Sequence, residues 1–190
     1  RLTFERPGSI HQWRQCDGPS LALNYYQDGN SFWEPAMHNQ LNGEGKAGGE
    51  LPILYYGTAQ LYFLFGPHEF LLRLIHLGIF LLGLFVLFFA FLKVCPIPFL
   101  APIPFLLFWS SPTLLFYTNN FLPDGPALGF ALLGVGLIWL SSSLEKRYLF
   151  YFGGIAFAFA ALIKVSMLIP FIAMLMIGLG FSIFKPWKDE

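Results

Sequence analysis

The sequence predicts an all-α membrane protein, a polytopic bundle of transmembrane helices with an N-terminal outer loop that carries short interfacial helices. The chain is 56% hydrophobic and only 12% charged, which is far from the average composition of soluble domains. Its apolar residues are concentrated after residue 51, whereas residues 1–50 are polar and glycine-rich. We therefore divide the chain into an extracytoplasmic loop, residues 1–68, and a transmembrane region, residues 69–190.

The outer loop contains two short segments that we expect to form interfacial helices. Residues 21–28 follow Asp17-Gly-Pro-Ser20, a sequence typical of a helix N-terminus. Residues 52–65 are apolar and aromatic, but they are fewer than the roughly 20 residues that a crossing needs. Tyr55 and Tyr62 in this segment suit the headgroup level. We expect the second segment to lie along the outer membrane surface.

The transmembrane region contains about five candidate crossings, because a hydrocarbon core of roughly 30 Å requires about 20 residues of helix. The apolar segments that approach or meet this length are residues 71–92, 97–117, 127–142, 148–163 and 165–184. The second segment is predicted to cross despite Pro102, Pro104 and Pro112.

Basic residues determine the predicted orientation of the crossings. The basic sites that follow the first, third and fifth crossings are Lys93, Lys146-Arg147, and Lys185 with Lys188. With alternating crossings they all fall on one face, which the positive-inside rule makes cytoplasmic. The N-terminal loop, Asp124 and Lys164 then share the outer face.

The candidate site consists of charged residues on this outer face. Carboxylates are expensive near hydrocarbon, so Asp17, Glu50 and Asp124 at the ends of apolar segments indicate a site at the membrane surface. Lys164 lies between two apolar runs, where a charge is costly unless it pairs or snorkels. The structural alternatives are helix capping by Asp17 or Asp124 and solvation of Glu50 in a loop. Arg73, near the outer start of the first crossing, is a candidate for binding a lipid phosphate or capping a helix.

The net charge and the positions of the cysteines and histidines bear on further classes of function. The formal net charge is zero, which argues against a nucleic-acid surface. Cys16 and Cys95 are predicted to lie on opposite faces, so we expect no disulfide between them. A zinc site formed by His11, Cys16 and His38 is an alternative that the spacing does not favour.

Three motifs accompany the acids. They are Trp13-Arg-Gln-Cys-Asp17, then Gly49-Glu-Leu-Pro-Ile-Leu-Tyr-Tyr56 followed by Phe65-Gly66, Phe70 and Arg73-Leu74, and finally Leu122-Pro-Asp124. Together they resemble the GT-C glycosyltransferases, in particular the branch that contains aminoarabinose transferase and the dolichyl-phosphate-mannose protein mannosyltransferases. The resemblance covers most of the chain. In that family the first outer loop carries two helices that lie along the membrane.

The resemblance implies an enzyme of the bacterial inner membrane. Such an enzyme transfers a sugar, with inversion, from a polyprenyl-phosphate donor to a lipid, glycan or protein acceptor at the outer face. By this resemblance Asp17 is the candidate general base. Glu50, with Asp17, is the candidate ligand of a divalent metal ion. Asp124 is the candidate that positions the acceptor or supports the metal.

The resemblance and the chemistry of the donor also imply a set of substrate-binding residues. Lys164 and Arg73 are candidates for binding the donor phosphate, since charge develops on that group as it leaves. Arg14 is a further substrate-binding candidate beside them. Trp13 and Tyr55 are candidates for stacking on a sugar or lining a lipid groove, and an interfacial aromatic belt explains both equally well.

The chain also departs from this family. Its members are substantially longer, with a helix before the first loop and further helices and a soluble part after it, so we expect the chain to be part of a larger protein or of a split assembly. In the aminoarabinose branch a lysine follows the acid at the position of Glu50, whereas Leu51 stands here. The rival class is a non-enzymatic membrane protein, such as a transporter or an assembly subunit. Acids that line a transport path are expected near the bilayer midplane, whereas these lie at helix ends.

The predicted orientation can be tested by cysteine labelling. We expect Asp124→Cys to react with a membrane-impermeant maleimide added to the outer compartment, and Arg147→Cys to react only after the membrane is permeabilised. The labelling is measured in a protein whose Cys16 and Cys95 are replaced by serine. Reaction of both positions from the same side would contradict the orientation.

Overall fold

The computed structural model describes residues 11–38, 45–46 and 49–184, and within them the protein is all-α, as predicted. An isolated β-bridge pairs Ala36 with Lys46. The helices are α1 Gln12–Gln27, α2 Ile53–Phe65, α3 Phe70–Val94, α4 Pro102–Ser110, α5 Pro112–Thr118, α6 Asp124–Leu144, α7 Arg147–Ile163 and α8 Leu168–Phe184. Short 3-10 turns lie at Pro98–Leu100 and Val165–Met167.

Two of the described helices are long and apolar enough to cross a membrane. They are α3, with 25 residues, and α6, with 21 residues. A helix of 25 residues is about 37 Å long and one of 21 residues about 32 Å, which matches a hydrocarbon core of roughly 30 Å. The helix α7 is apolar but shorter. Two candidate spans are therefore supported by length and composition, and the other crossings remain predictions.

Glycines bring α3 and α6 into backbone contact. A Cβ atom placed on Gly129 of α6 would lie 2.7 Å from the Cα of Phe80 on α3, and one on Gly136 would lie 2.9 Å from the backbone nitrogen of Leu87. A step of seven residues along α6 thus matches a step of seven along α3. The two helices therefore run parallel, with their N-terminal ends together.

The helix α7 returns antiparallel along α6. A Cβ on Gly134 of α6 would meet the ring of Phe157, whereas a Cβ on Gly153 would meet the side chain of Ile138. The later α6 residue therefore lies beside the earlier α7 residue. The C-terminal end of α7 consequently lies at the same end of the bundle as the start of α6, as the predicted alternation of crossings requires.

The segment between α3 and α6 differs from the prediction. We expected one continuous crossing over residues 97–117, but the chain forms α4 and α5 with a break at Ser111. Pro112 disfavours the helical conformation for the residue before it, and Ser111 is extended, with φ −80° and ψ 111°. The Ser111 hydroxyl then accepts a hydrogen bond from the backbone N–H of Leu114, 3.4 Å away, and caps α5.

The first helix is longer than predicted. We expected a helix over residues 21–28 with Asp17 at its N-terminus, but α1 begins at Gln12 and Asp17 lies inside it. The interpretation of Asp17 as a helix cap is therefore wrong. Because Gly18 has no side chain, the helix can pack closely at this point. A Cβ there would lie 2.9 Å from the Tyr55 ring and 3.2 Å from the carbonyl oxygen of Phe121. Close packing against α2 maintains the helix through Gly18 and Pro19.

The N-terminal helices pack onto the start of α3 through a common core. Its buried members are Leu21, Ala22, Tyr25, Tyr55, Ala59, Tyr62, Leu71, Leu72 and Phe121. The second helix, α2, has 13 residues and is therefore about 20 Å long. The prediction of a helix too short to cross is confirmed, and its orientation along the membrane surface remains a prediction.

Two glycines on α3 provide a matched test of this packing. A Cβ on Gly83 would fall on the carbonyl oxygen of Gly129, whereas one on Gly78 meets nothing within 4 Å. We expect Gly83→Ala to destabilise the protein by about 1–3 kcal/mol, because it forces two backbones apart. Gly78→Ala is expected to be neutral or to stabilise by up to about 1 kcal/mol through helix propensity. Thermal unfolding in detergent measures both, and an equal response would contradict the parallel contact.

Candidate functional site

A lysine–carboxylate ion pair joins two helix ends. Asp124 is the first residue of α6, where a negative charge is favourable beside the helix dipole. Lys164 directly follows α7 in an extended conformation. Because these two ends meet, the Lys164 Nζ atom forms an ion pair with the Asp124 Oδ1 atom. The two side chains are only 26% and 27% exposed.

A second ion pair lies next to the first. The Arg14 Nη2 atom of α1 lies 3.2 Å from the Glu50 Oε1 atom, and the Tyr55 hydroxyl donates to Glu50 Oε2 over 3.4 Å. The segment that carries Glu50 is fixed to the end of α7, because the backbone N–H of Leu51 donates to the carbonyl of Leu162 over 3.0 Å. This backbone bond places Glu50 near Lys164.

We call Arg14, Glu50, Asp124 and Lys164 the charged cluster. Burial raises the pKa of Glu50, while the positive charges of Arg14 and Lys164, together with the Tyr55 hydrogen bond, lower it and Asp124 raises it. Glu50 thus interacts electrostatically with both ion pairs. Glu50, Asp124 and Lys164 thus lie together at one end of the bundle, and the location of this end at the outer face stays a prediction.

Asp17 lies between two cavities. It is one helical turn beyond Arg14 on α1, and partial burial raises its pKa against the lowering effect of Arg14. One cavity, of about 250 Å³, is also lined by Arg14, Glu50 and Tyr55. The other, of about 860 Å³, is also lined by Trp13, Leu23 and Tyr62. The Asp17 carboxylate can therefore be reached from both the charged cluster and a larger, mostly apolar groove.

A third cavity, of about 350 Å³, has the donors that an anion requires. Arg14 and Lys164 line it, together with the ring of His11 and the hydroxyl-bearing side chains of Tyr117 and Thr118. Asp124 also lines this cavity. A bound anion would therefore compete with carboxylates for the two cations.

The other candidates lie outside the charged cluster. Trp13 is exposed on α1. Tyr55 is buried, so its position suits orienting Glu50 rather than stacking on a sugar. Arg73 is also buried, with its guanidinium carbon 4.2 Å from the centroid of the Phe121 ring. This burial leaves little of Arg73 for a lipid phosphate to contact.

One residue at this end of α3 was not predicted as functional. His76 is fully buried, and its Nδ1 atom lies 3.1 Å from the carbonyl oxygen of Asn120. Arg73 and His76, one turn apart, thus hold the turn that precedes Asp124. A pair of polar residues three positions apart in an apolar helix is the sequence signal for such a role, because residues at that spacing share a helix face.

The divalent metal ion expected at Glu50 and Asp17 stays a prediction. Among the described residues no group of three or more His, Cys, Asp or Glu side chains is arranged to hold an ion, and this includes His11, Cys16 and His38. The carboxylate of Glu50 is engaged by Arg14 and Tyr55. We therefore assign no metal-dependent step to Asp17 or Glu50.

Comparison with protein-family models, curated proteins and solved structures finds no match for the chain. No relative therefore assigns a role to the charged cluster. Its geometry and chemistry are the basis for the function proposed for it.

The two ion pairs are expected to differ in strength. The Lys164–Asp124 side chains are 26% and 27% exposed, whereas those of Arg14–Glu50 are 58% and 24% exposed. We expect a double-mutant cycle of Lys164→Met and Asp124→Asn to give a coupling free energy of about 1–3 kcal/mol. A cycle of Arg14→Met and Glu50→Gln should give about 0.2–1 kcal/mol, since solvent screens an exposed arginine. Equilibrium unfolding in mixed micelles measures both, and a stronger Arg14–Glu50 coupling would contradict the expectation.

Proposed function

We propose that the chain is a membrane glycosyltransferase, or part of one, that moves a sugar from a polyprenyl-phosphate donor to an acceptor at the outer face of the bacterial inner membrane. The observation that carries this proposal is the convergence of the charged cluster and Asp17 at one end of apolar helices. A polyprenyl phosphate has an apolar chain within the bilayer and a phosphate at its surface. The apolar helices α6 and α7, with Arg14 and Lys164 beside their ends, match both parts.

The cations Arg14 and Lys164 are proposed to bind the donor phosphate. Both line the 350 Å³ cavity, and the Tyr117 side chain adds a hydroxyl group to it. The donor is a phosphodiester with one negative charge, and the departing polyprenyl phosphate gains a second. Cations placed beside this group stabilise the transition state more than the ground state, which is the requirement for catalysis.

Asp17 is proposed to be the general base. The acceptor hydroxyl attacks the anomeric carbon, the bond from that carbon to the phosphate oxygen breaks, and the hydroxyl proton passes to the Asp17 carboxylate. Attack opposite to the leaving group inverts the configuration. The raised pKa of Asp17 makes it a stronger base than an ordinary aspartate. The 860 Å³ groove that Asp17 lines is the proposed place for the acceptor.

Glu50 and Asp124 are proposed to position the cations. Glu50 orients Arg14, and its other oxygen is held by the Tyr55 hydroxyl. Asp124 holds Lys164 at the helix ends. Each carboxylate reduces the cost of a cation near hydrocarbon.

A structural role for the same cluster is the second candidate. Two cations and two carboxylates form a neutral set that joins α1, α6 and the end of α7, and a transporter or assembly subunit can use it for that purpose alone. The two candidates differ in whether a polyprenyl phosphate binds to Arg14 and Lys164. Donor binding therefore separates them before any transfer is measured.

The general base is tested by Asp17→Asn, assayed in the protein together with any neighbouring segments that its reading frame encodes. We expect transfer to fall by about 10² to 10⁴, since the amide keeps the shape but cannot accept the proton. Donor binding should remain nearly unchanged. In the unsubstituted protein kcat should fall as pH falls through the raised pKa of Asp17, because only the ionised carboxylate is a base.

The control for this substitution is Asp28→Asn, which changes the acid that follows the C-terminal end of the same helix. It should leave transfer unchanged. Lys164→Ala should instead weaken donor binding, because the phosphate that Lys164 is proposed to contact is already charged when the donor binds. Transfer by Asp17→Asn at the unsubstituted rate would remove Asp17 from the mechanism.

A further inference from the structure

A fourth cavity, of about 610 Å³, lies beside Glu50 and takes no part in the reaction proposed so far. Its walls include Phe32, Trp33, Glu34 and Pro35 from the segment that follows α1, together with Lys46 and Glu50. This volume is within the range of small-molecule sites, which combine apolar walls with a few polar groups. The cavity shares Glu50 with the charged cluster.

Several contacts fix the segment that forms this wall. The Tyr25 hydroxyl donates to the carbonyl of Phe32 over 2.9 Å, and the Asn24 side-chain amide donates to the carbonyl of Ala36 over 2.7 Å. The Phe32 ring packs edge to face against Tyr56, with centroids 5.4 Å apart. The wall is therefore held in place by α1 and α2, and a ligand would meet a preformed surface.

Trp33 is the prominent side chain of this wall. It is 78% exposed, although the segment around it is held by hydrogen bonds and ring contacts. Its ring packs against Phe32 with centroids 4.8 Å apart and planes at 85°. An indole kept in place and largely uncovered offers an apolar face to a flat ligand, and neighbouring carboxylates accept hydrogen bonds from hydroxyl groups.

We propose that this cavity is a carbohydrate subsite, in which Trp33 stacks on a neutral sugar ring and Glu34 accepts hydrogen bonds from the sugar hydroxyls. A pyranose ring presents C–H groups on its faces and hydroxyl groups around its edge, which matches an indole flanked by carboxylates. The cavity is lined by the carboxylates of Glu34 and Glu50 and by the ammonium group of Lys46, which offer both acceptors and donors to the hydroxyl groups of a neutral sugar. These charged groups also disfavour insertion of this wall into the membrane, where charges are costly.

Only the role of the bound sugar, as part of the acceptor or of the donor, rests on the proposed function. Binding itself can be measured without transfer. The protein contains 5 tryptophans, so incorporation of 5-fluorotryptophan gives a small set of ¹⁹F resonances, and Trp33→Phe assigns the resonance of Trp33. The probes are the methyl glycosides of glucose, mannose, galactose and N-acetylglucosamine.

We expect at least one of these glycosides to shift the Trp33 resonance while the resonance of Trp139, near the C-terminal end of α6, stays in place. Trp33→Ala should weaken binding of that glycoside, followed by equilibrium dialysis, by about tenfold. Glu34→Gln should weaken it by a smaller factor, since the amide oxygen still accepts a hydrogen bond. Asp28→Asn, at the C-terminal end of α1, should leave glycoside binding unchanged.

A Trp33 resonance that responds to none of the four glycosides would overturn the subsite. So would a response only to phosphatidylglycerol bilayers in nanodiscs, which would make Trp33 a membrane anchor. These failures are distinct from failure of the proposed function. If Lys164→Ala loses polyprenyl-phosphate binding but no glycoside shifts the Trp33 resonance, the subsite alone is refuted. If a glycoside binds but polyprenyl phosphate does not, the transferase alone is refuted.

Discussion

The parallel backbone contact between α3 and α6 is the constraint on which the rest of the structure depends. Gly83 and Gly129 let the two helices approach so closely that a Cβ on Gly83 would overlap the opposite backbone. In a bilayer, helix association depends on such close packing, because lipid is as apolar as the side chains. The parallel arrangement places the first residues of both helices at one end, and α7 then returns its C-terminal end to the same place. The meeting of Asp124 and Lys164 follows from this antiparallel return of α7 along α6.

The charged cluster reflects a balance between burial and pairing. A lysine between apolar runs is costly, and Lys164 reduces that cost through its ion pair with Asp124. Arg14, through an ion pair, and Tyr55, through a hydrogen bond, likewise reduce the cost of burying the Glu50 carboxylate. Removing Asp124 or Lys164 leaves a partly buried charge without its partner, which is more destabilising than never having the pair. Removing Arg14 does the same to Glu50, whereas removing Glu50 leaves Arg14 largely solvated. Substitutions in this cluster therefore affect stability as well as any activity, and transfer rates must be read together with unfolding measurements.

The sequence predicted best those elements that are determined by length and composition. The helices α3, α6 and α7 lie within a few residues of their predicted bounds, since a long apolar run has few alternatives. The helix predicted over residues 97–117 is broken at Ser111, because Pro112 disfavours the helical conformation there, and the crossing itself stays a prediction. The helix α1 was predicted too short because Gly18-Pro19 is typical of a turn, and only packing against Tyr55 shows why the helix continues. The Arg14–Glu50 pair joins residues 36 positions apart, and no local pattern indicates such a pair.

Glu50 connects the charged cluster to the carbohydrate subsite. In the structure its two oxygens contact Arg14 and Tyr55, and its side chain also lines the cavity that contains Trp33. If a donor phosphate binds Arg14, the Glu50 oxygen that faced the guanidinium becomes available to another donor. A sugar hydroxyl in the neighbouring cavity is such a donor. Phosphate binding and sugar binding would then favour each other, and by linkage each would raise the affinity for the other by the same factor. A single partly buried carboxylate can in this way connect the two substrates of the proposed reaction.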